Sequence, residues 1–201
     1  PYAHKQYPLP KSRYLTSISN TLISSGNPES VGTVYKMEAG YPEIYTGLGS
    51  FFTVSSDSGG KITGLGVLNK MLYVFQEKAI SIMGGNVATG QVRINVISSP
   101  SMGIGCAANA TIKEVNGELW FLSDKGIYKV APGAPPIAVG SLIEPLIETN
   151  IFDLNRALAI NWNSEDLYII SIPPLIHYKG GYNLDLVYDT VRKSWSLWTN
   201  V

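Results

Sequence analysis

Five carboxylates stand where this chain could carry acid–base chemistry: Glu118, Asp124, Glu165, Asp166 and Asp185. Glycoside hydrolysis needs two of them facing each other across a sugar, one as acid and one as nucleophile or base. Most of the five fall at polar corners between short apolar runs, where an acid is solvated by default. His4 and His177 are too isolated for a His-based metal site, and no Ser-His-Asp order stands out. Cys106 is the single cysteine, which excludes an intrachain disulfide and a Cys-based zinc site. Gly103-Ile104-Gly105-Cys106-Ala107-Ala108 has the glycine spacing of a dinucleotide fingerprint with Ala in the last place. That fingerprint works only with a strand before it, a helix after it and a βαβ unit around it. From Ala107 onward the residues alternate like a strand, so a tight turn between sheets is expected instead. These residues point to no catalytic group, no cofactor and no metal.

The elements that must position them are short strands in repeated units. Gly64 to Phe75 reads as two apolar strands joined by the polar corner Asn69-Lys70, and Gln76 to Ile82 turns into a third strand. The pattern returns at Asn116 to Leu122 and at Asn163 to Ile170, with a weaker copy at Asn20 to Ile23. Leu22, Leu72, Leu119 and Leu167 recur at intervals of about 50, 47 and 48 residues, within the range of propeller blades. Tyr73, Trp120 and Tyr168 each follow the repeat leucine and read as core aromatics rather than a ligand platform. The fold class expected is all-β: an antiparallel β-propeller-like array of about four four-stranded blades. Four is the low end for closure, so a complete ring and an arc of a larger propeller both remain open.

In chain order, residues 1–11 are expected to be a linker or edge segment because of Pro8 and Pro10. The domain then runs 12–201, with repeats at 12–58, 59–105, 106–155 and 156–201. Strands are expected at 13–18, 21–25 and 31–37, with 51–55 as either the fourth strand or the lead into the next repeat, then at 62–68, 71–76, 79–83 and 92–97. Gly84-Gly85-Asn86 and Gly90 read as breakers. The third repeat offers 107–115, 118–122 and 126–130 and closes in the Pro-rich passage 132–136. A helix of one or two turns, limited by Pro145, is expected within 141–156. The fourth repeat offers strands at 157–162, 167–172, 184–188 and 194–198, interrupted by Pro173-Pro174 and Gly180-Gly181. Net charge is zero with only 15% charged residues, so no polyanion binding is predicted, and low charge suits a module inside an assembly. No apolar run approaches the roughly 18 residues that span a bilayer as a helix. With no initiator Met, the chain reads as a piece of a longer protein. Tyr2, Tyr7, Tyr178 and Tyr182 fall in expected loops, where exposed Tyr suits a sugar cleft or a protein contact equally.

Two resemblances add to this reading. Ser55-Ser56-Asp57-Ser58-Gly59-Gly60 is similar to the Ser-x-Asp-x-Gly turn of sialidase-like propellers, and Ser123-Asp124-Lys125-Gly126 is a shorter version. Ile62 stands where that turn's aromatic is expected. In that family the Asp caps backbone amides, so the resemblance implies a hairpin and not catalysis. A sialidase-like site would need three clustered arginines, and Arg13, Arg93, Arg156 and Arg192 are scattered.

The second resemblance covers nearly the whole chain. Lys61 to Phe75 with Lys78 to Ile82, then Gly103-Ile104-Gly105, Val115 to Tyr128 and Leu186 to Thr190 before Ser194-Trp195, resemble a pattern of tailed-bacteriophage virion proteins. The family implied is the β-propeller domain of a tail nozzle, tail hub or neck protein. It implies a non-catalytic building block of the virion, made in the host cytoplasm, that meets other virion proteins and copies of itself in a ring. Contact loops would be 131–141, with Pro135 and Pro136, and 173–183, with Tyr178 and Tyr182. DNA would pass without specific binding, which the neutral charge suits. The alternative is a carbohydrate-binding propeller that recognises host glycans; a propeller glycosidase ranks third.

Overall fold

The computed structural model describes residues 7–47, 49–54, 59–99, 101–140, 143–147, 151–175 and 181–198. Sixteen strands form four antiparallel sheets of four among these residues. The first holds β1 (Tyr14–Ile18), β2 (Thr21–Ser25), β3 (Thr33–Lys36) and β4 (Phe51–Thr53). The second holds β5 (Ile62–Leu68), β6 (Met71–Gln76), β7 (Ile80–Asn86) and β8 (Gln91–Ser98). The third holds β9 (Lys113–Val115), β10 (Glu118–Ser123), β11 (Gly126–Val130) and β12 (Ile137–Ala138). The fourth holds β13 (Leu158–Trp162), β14 (Leu167–Ile172), β15 (Leu184–Asp189) and β16 (Ser194–Trp198). Strands follow one another across each sheet in chain order, so every connection inside a sheet is a hairpin. The chain divides into two compact units, 1–105 with the first two sheets and 106–201 with the last two.

Turn chemistry sets the register. Between strands one and two of the first three sheets, two residues with positive φ make the corner: Ser19-Asn20, Asn69-Lys70 and Asn116-Gly117. Two left-handed residues in succession form the hairpin turn whose twist matches that of the strands, and Asn and Gly adopt it at least cost. The fourth sheet differs. Its corner is a 3-10 turn at Asn163–Glu165 closed by Asp166 in the left-handed region, with Trp162 opposite Leu167. The longer corner shifts the fourth repeat by one residue. The structural counterpart of Leu22, Leu72 and Leu119 is Tyr168, not Leu167, since each of these is the second residue after its corner.

That register divides each sheet into two faces. The leading face carries Leu22, Leu72, Leu119 or Tyr168; the trailing face carries Ile23, Tyr73, Trp120 or Ile169. In the first unit, trailing-face Ile23 and Val34 of the first sheet pack with leading-face Leu65, Leu72, Val74 and Met83 of the second. In the second unit, trailing-face Trp120, Leu122 and Ile127 pack with leading-face Tyr168, Ile170 and Leu186. Full burial of each such side chain contributes about 1.5–3 kcal/mol. Trp120 joins a ring cluster, with centroids 5.2 Å from Tyr168 and 4.9 Å from Tyr188, and Tyr188 lies 4.9 Å from Trp195. These separations lie in the range that aromatic pairs prefer. Within each unit the first strands approach closely, β1 beside β5 and β9 beside β13.

Several strand limits differ from the sequence expectation. Gly84-Gly85 does not break β7, which continues to Asn86 with Gly85 at φ 99°, opposite Val92. A Cβ on Gly85 would lie 2.4 Å from the Gln91 carbonyl oxygen, so glycine permits the pairing rather than ending it. Ala107 onward is not one long strand: a 3-10 turn at Asn109–Thr111 precedes β9, fixed by Thr111 Oγ1 donating to the Ala108 carbonyl at 2.7 Å. The passage after Pro135-Pro136 is not all loop, because β12 pairs with β11 there. The helix α1 (Glu144–Ile147) is one turn, with Pro145 in its first turn, where a missing amide costs nothing. Residues 7–11 form no strand, and the Tyr7 amide donates to the Tyr45 carbonyl at 3.0 Å.

Gly105 is where backbone crowds backbone: an added Cβ would sit 2.1 Å from the Gln76 carbonyl oxygen. Gly105→Ala is therefore expected to destabilise by about 1–3 kcal/mol, the usual cost of forcing atoms into a filled site. Urea unfolding measures it, and a midpoint unchanged from the parent would contradict this packing.

Candidate functional site

The candidate carboxylates do not converge within a sheet. Glu118 opens β10 and Asp124 follows its end, so the strand's length, about 20 Å, separates them. That exceeds the roughly 5–9.5 Å between the paired acids of a glycosidase. Glu118 is also engaged, accepting from Lys129 Nζ at 2.9 Å. Asp124 accepts from the Ser123 hydroxyl at 3.0 Å in the β10–β11 turn. In the fourth sheet Glu165 and Asp166 lie at the corner before β14, whereas Asp185 is paired opposite Ser171 near the other end of that strand.

Asp189, which sequence reasoning did not single out, is the best-held acid among the described residues. Its Oδ1 accepts from the Arg192 amide at 2.7 Å and the Val191 amide at 2.9 Å, and its Oδ2 pairs with the Arg192 guanidinium at 2.7 Å. The Arg192 amide, with the guanidinium and the Val191 amide, holds its carboxyl below the usual range. The arrangement closes the β15–β16 turn and is structural. Of the four arginines, Arg13 and Arg93 belong to the first unit and Arg156 and Arg192 to the second. Gly103 to Ala108 leads into the 3-10 turn and antiparallel strands, not into a βαβ unit. No group of three or more His, Cys, Asp or Glu suited to a metal occurs among the described residues. His4, His177, Tyr2, Tyr178 and residues 55–58 lie outside the described residues.

Cys106 is buried, with its thiol donating to the Ala108 carbonyl at 3.2 Å. Burial pushes its pKa up to about 12, so it is no nucleophile. Tyr168 is buried beside it, donates its hydroxyl to the Thr111 carbonyl at 3.0 Å, and has a pKa raised by burial and by Cys106.

Open clefts among the described residues include the following. One of ≈ 470 Å³ borders the β1–β2 corner, from Ser17 to Leu22 with Gly40 and Pro42. Another of ≈ 470 Å³ lies in the second unit, between Val139, Gly140, Ile143 and Leu146 on one side and Lys193 to Leu197 on the other. The third, ≈ 360 Å³, is lined by Arg13, Tyr14, Asn27 and Lys61 among others. None has an acid, His or Cys among its described lining residues. Of the expected contact-loop residues, Tyr182 and Pro135 are exposed, whereas Pro136 is buried.

The largest departure from an ordinary surface is the trailing face of the fourth sheet. Leu158, Ile160 and Trp162 alternate along β13 on that side, exposed by 54%, 50% and 45%. Leu158 lies in a cross-strand row with Ser171, Asp185 and Trp198, and Ile160 in a row with Ile169, Val187 and Ser196; Val187 is buried, so the exposed apolar groups sit on the outer strands β13 and β16. The opposite face of the same sheet is core. Exposed apolar rows of this kind occur at protein contacts. The alternation at 158–162 was visible in sequence, but which side lacked a neighbour was not.

No protein-family model and no curated protein matches the sequence. Among solved structures, the N-terminal domain of Nup159, a β-propeller, aligns with a TM-score of 0.54 at 11% identity, over 95% of this chain and 48% of that one. An exported protein of Bacteroides fragilis aligns with a TM-score of 0.46 at 9% identity, over 92% and 57%. The chain thus spans about half the length of these structures. The likeness to the Nup159 domain, together with the four four-stranded antiparallel sheets, makes the fold all-β and propeller-like.

A thiol buried in this way should label slowly. At pH 8 Cys106 is expected to react with iodoacetamide only as fast as the chain opens, and at once in urea; rapid labelling of the folded chain would contradict its burial. Its folded pKa lies above the ordinary value of 9.0, so only the unfolded chain releases this proton between about pH 9 and about pH 12. The stability linked to Cys106 is intact below pH 9 and falls across that window, and Cys106→Ala removes this part of the alkaline loss.

Proposed function

We propose that this chain is a non-catalytic structural module of a phage tail or neck, a rigid propeller-like scaffold that mediates ring assembly and subunit contacts in the virion. The observation that carries the assembly role is the exposed apolar row Leu158, Ile160 and Trp162 on an otherwise well-packed sheet. Such a surface costs solubility unless another protein covers it. The virion setting rests on the sequence resemblance over 61–82, 103–128 and 186–195. Its partners are other virion proteins and copies of itself, and DNA passes it without specific binding, in keeping with a formal net charge of zero. Synthesis takes place in the host cytoplasm, and the finished protein resides in the virion.

A second reading, host-glycan binding, draws support from Tyr182, which is exposed in the connection between β14 and β15. A glycan array with the Tyr182→Ala variant as control separates the two: binding lost on substitution favours the second reading.

Negative-stain electron microscopy of the full-length protein, with its mass in solution, tests the first. Closed rings are expected. A discrete monomer or trimer at every concentration would sink the ring-scaffold reading.

A further inference from the structure

The corner between β9 and β10 is the single Asn-Gly pair of the chain, Asn116-Gly117. That pair is chemically reactive, because glycine has no Cβ to shield its amide nitrogen from the neighbouring carboxamide. Once a base has taken its proton, the Gly117 nitrogen attacks Cγ of Asn116. A C–N bond forms, the bond from Cγ to Nδ2 breaks, and Nδ2 leaves as ammonia. Water then opens the cyclic imide at either carbonyl and leaves an aspartyl or an isoaspartyl residue. The net change is one water in and one ammonia out, so no other reactant is needed.

The fold decides whether this happens in the native chain. Asn116 and Gly117 stand in the left-handed region, at φ 50° and 77°. The imide needs a rotation about the Asn116 Cα–C bond that a hairpin turn of this kind does not hold, so the corner must open first. Three observations make opening easy here. Both residues are exposed, and nothing lies within 4 Å of where a Cβ on Gly117 would be. Among the described residues no hydrogen bond holds the Asn116 carboxamide, whereas those of Asn27 and Asn86 accept from the Glu29 and Thr89 amides. The pairing of β9 with β10 is short, with only Val115, Glu114 and Lys113 opposite Glu118, Leu119 and Trp120, and such ends open at low cost. Asn69 stands in the matching corner of the second sheet, but Lys70 follows it and six pairs close its ladder.

We propose that Asn116 is a site of spontaneous deamidation in the folded chain, placed in the corner that sets the register of the third sheet. An isoaspartyl product adds one carbon to the main chain of a two-residue turn and spoils the match of its twist to the strands. It thereby disturbs β9, whose Glu114 carbonyl accepts from Asn161 Nδ2 on β13 at 2.6 Å. Ageing at this corner weakens a tie between the third and fourth sheets.

Incubation of the folded chain in mildly alkaline buffer tests it, with peptide mass spectrometry and isoaspartyl methyltransferase labelling as readouts. Conversion at Asn116 is expected to be at least about tenfold faster than at Asn69, a difference of about 1.4 kcal/mol in barrier. Gly117→Asn keeps a residue that tolerates the left-handed region and should abolish the difference while the circular dichroism spectrum is unchanged. A parallel incubation in urea reports the open chain. If Asn116 converts in urea but stays intact in the folded chain, the corner does not open and the proposal falls. Equal rates at Asn116 and Asn69 overturn it as well. The aged chain, which carries one more negative charge and separates by ion exchange, is expected to unfold at lower urea; a midpoint equal to that of fresh chain overturns the link to β9.

Discussion

Everything in this chain depends on one contact, an apolar sheet face laid on the apolar face of the next sheet. A four-stranded antiparallel sheet cannot hide both faces by itself, and hairpins of five to seven residues are too small to be stable alone. Stacking removes the difficulty: within each unit the trailing face of one sheet is covered by the leading face of the next. The requirement explains the aromatic group at Trp120, Tyr168, Tyr188 and Trp195, which fills the space between two sheets. It also explains the corners, since a hairpin slipped by one residue would turn every core side chain to solvent.

The chemistry-bearing residues take their places from the same requirement. Acids gather at corners because the strands between them are committed to packing, and alternate corners lie at opposite ends of a strand. Glu118 and Asp124 are separated by this rule, and Asp189 is used to tie a turn. Cys106 and Tyr168 are buried for packing, and their raised pKa values are consequences of that burial.

Much of the architecture was legible in the sequence. The recurring leucines, the Asn-containing corners and the alternating runs imply four-stranded repeats, and the paired strands at 62–68 and 71–76 coincide with β5 and β6. What was not legible follows from local exceptions. Leu167 copies the spacing of Leu119, but the four-residue corner at 163–166 makes Tyr168 its counterpart, and only the pairing of Trp162 with Leu167 reveals it. Gly84-Gly85 carries a composition that ends strands elsewhere, yet here it allows close pairing with β8. The two residues of β12 give no periodic signal after Pro135-Pro136. At the candidate surface, Leu158, Ile160 and Trp162 alternate as any half-buried strand does. Exposure depends on the neighbour, which lies in the fold and not in the pattern.

The central claim is that one face of the fourth sheet is a binding surface and the other is core. Fluorine NMR of the chain with 5-fluorotryptophan tests it most directly, because the four tryptophans report both sides: Trp162 and Trp198 the open face, Trp120 and Trp195 the packed one. As protein concentration rises, the Trp162 and Trp198 signals are expected to shift and lose their sensitivity to exchange of water for heavy water, while Trp120 stays fixed. Trp162 and Trp198 signals that remain solvent-exposed at all concentrations, or a Trp120 signal that responds instead, would contradict the account.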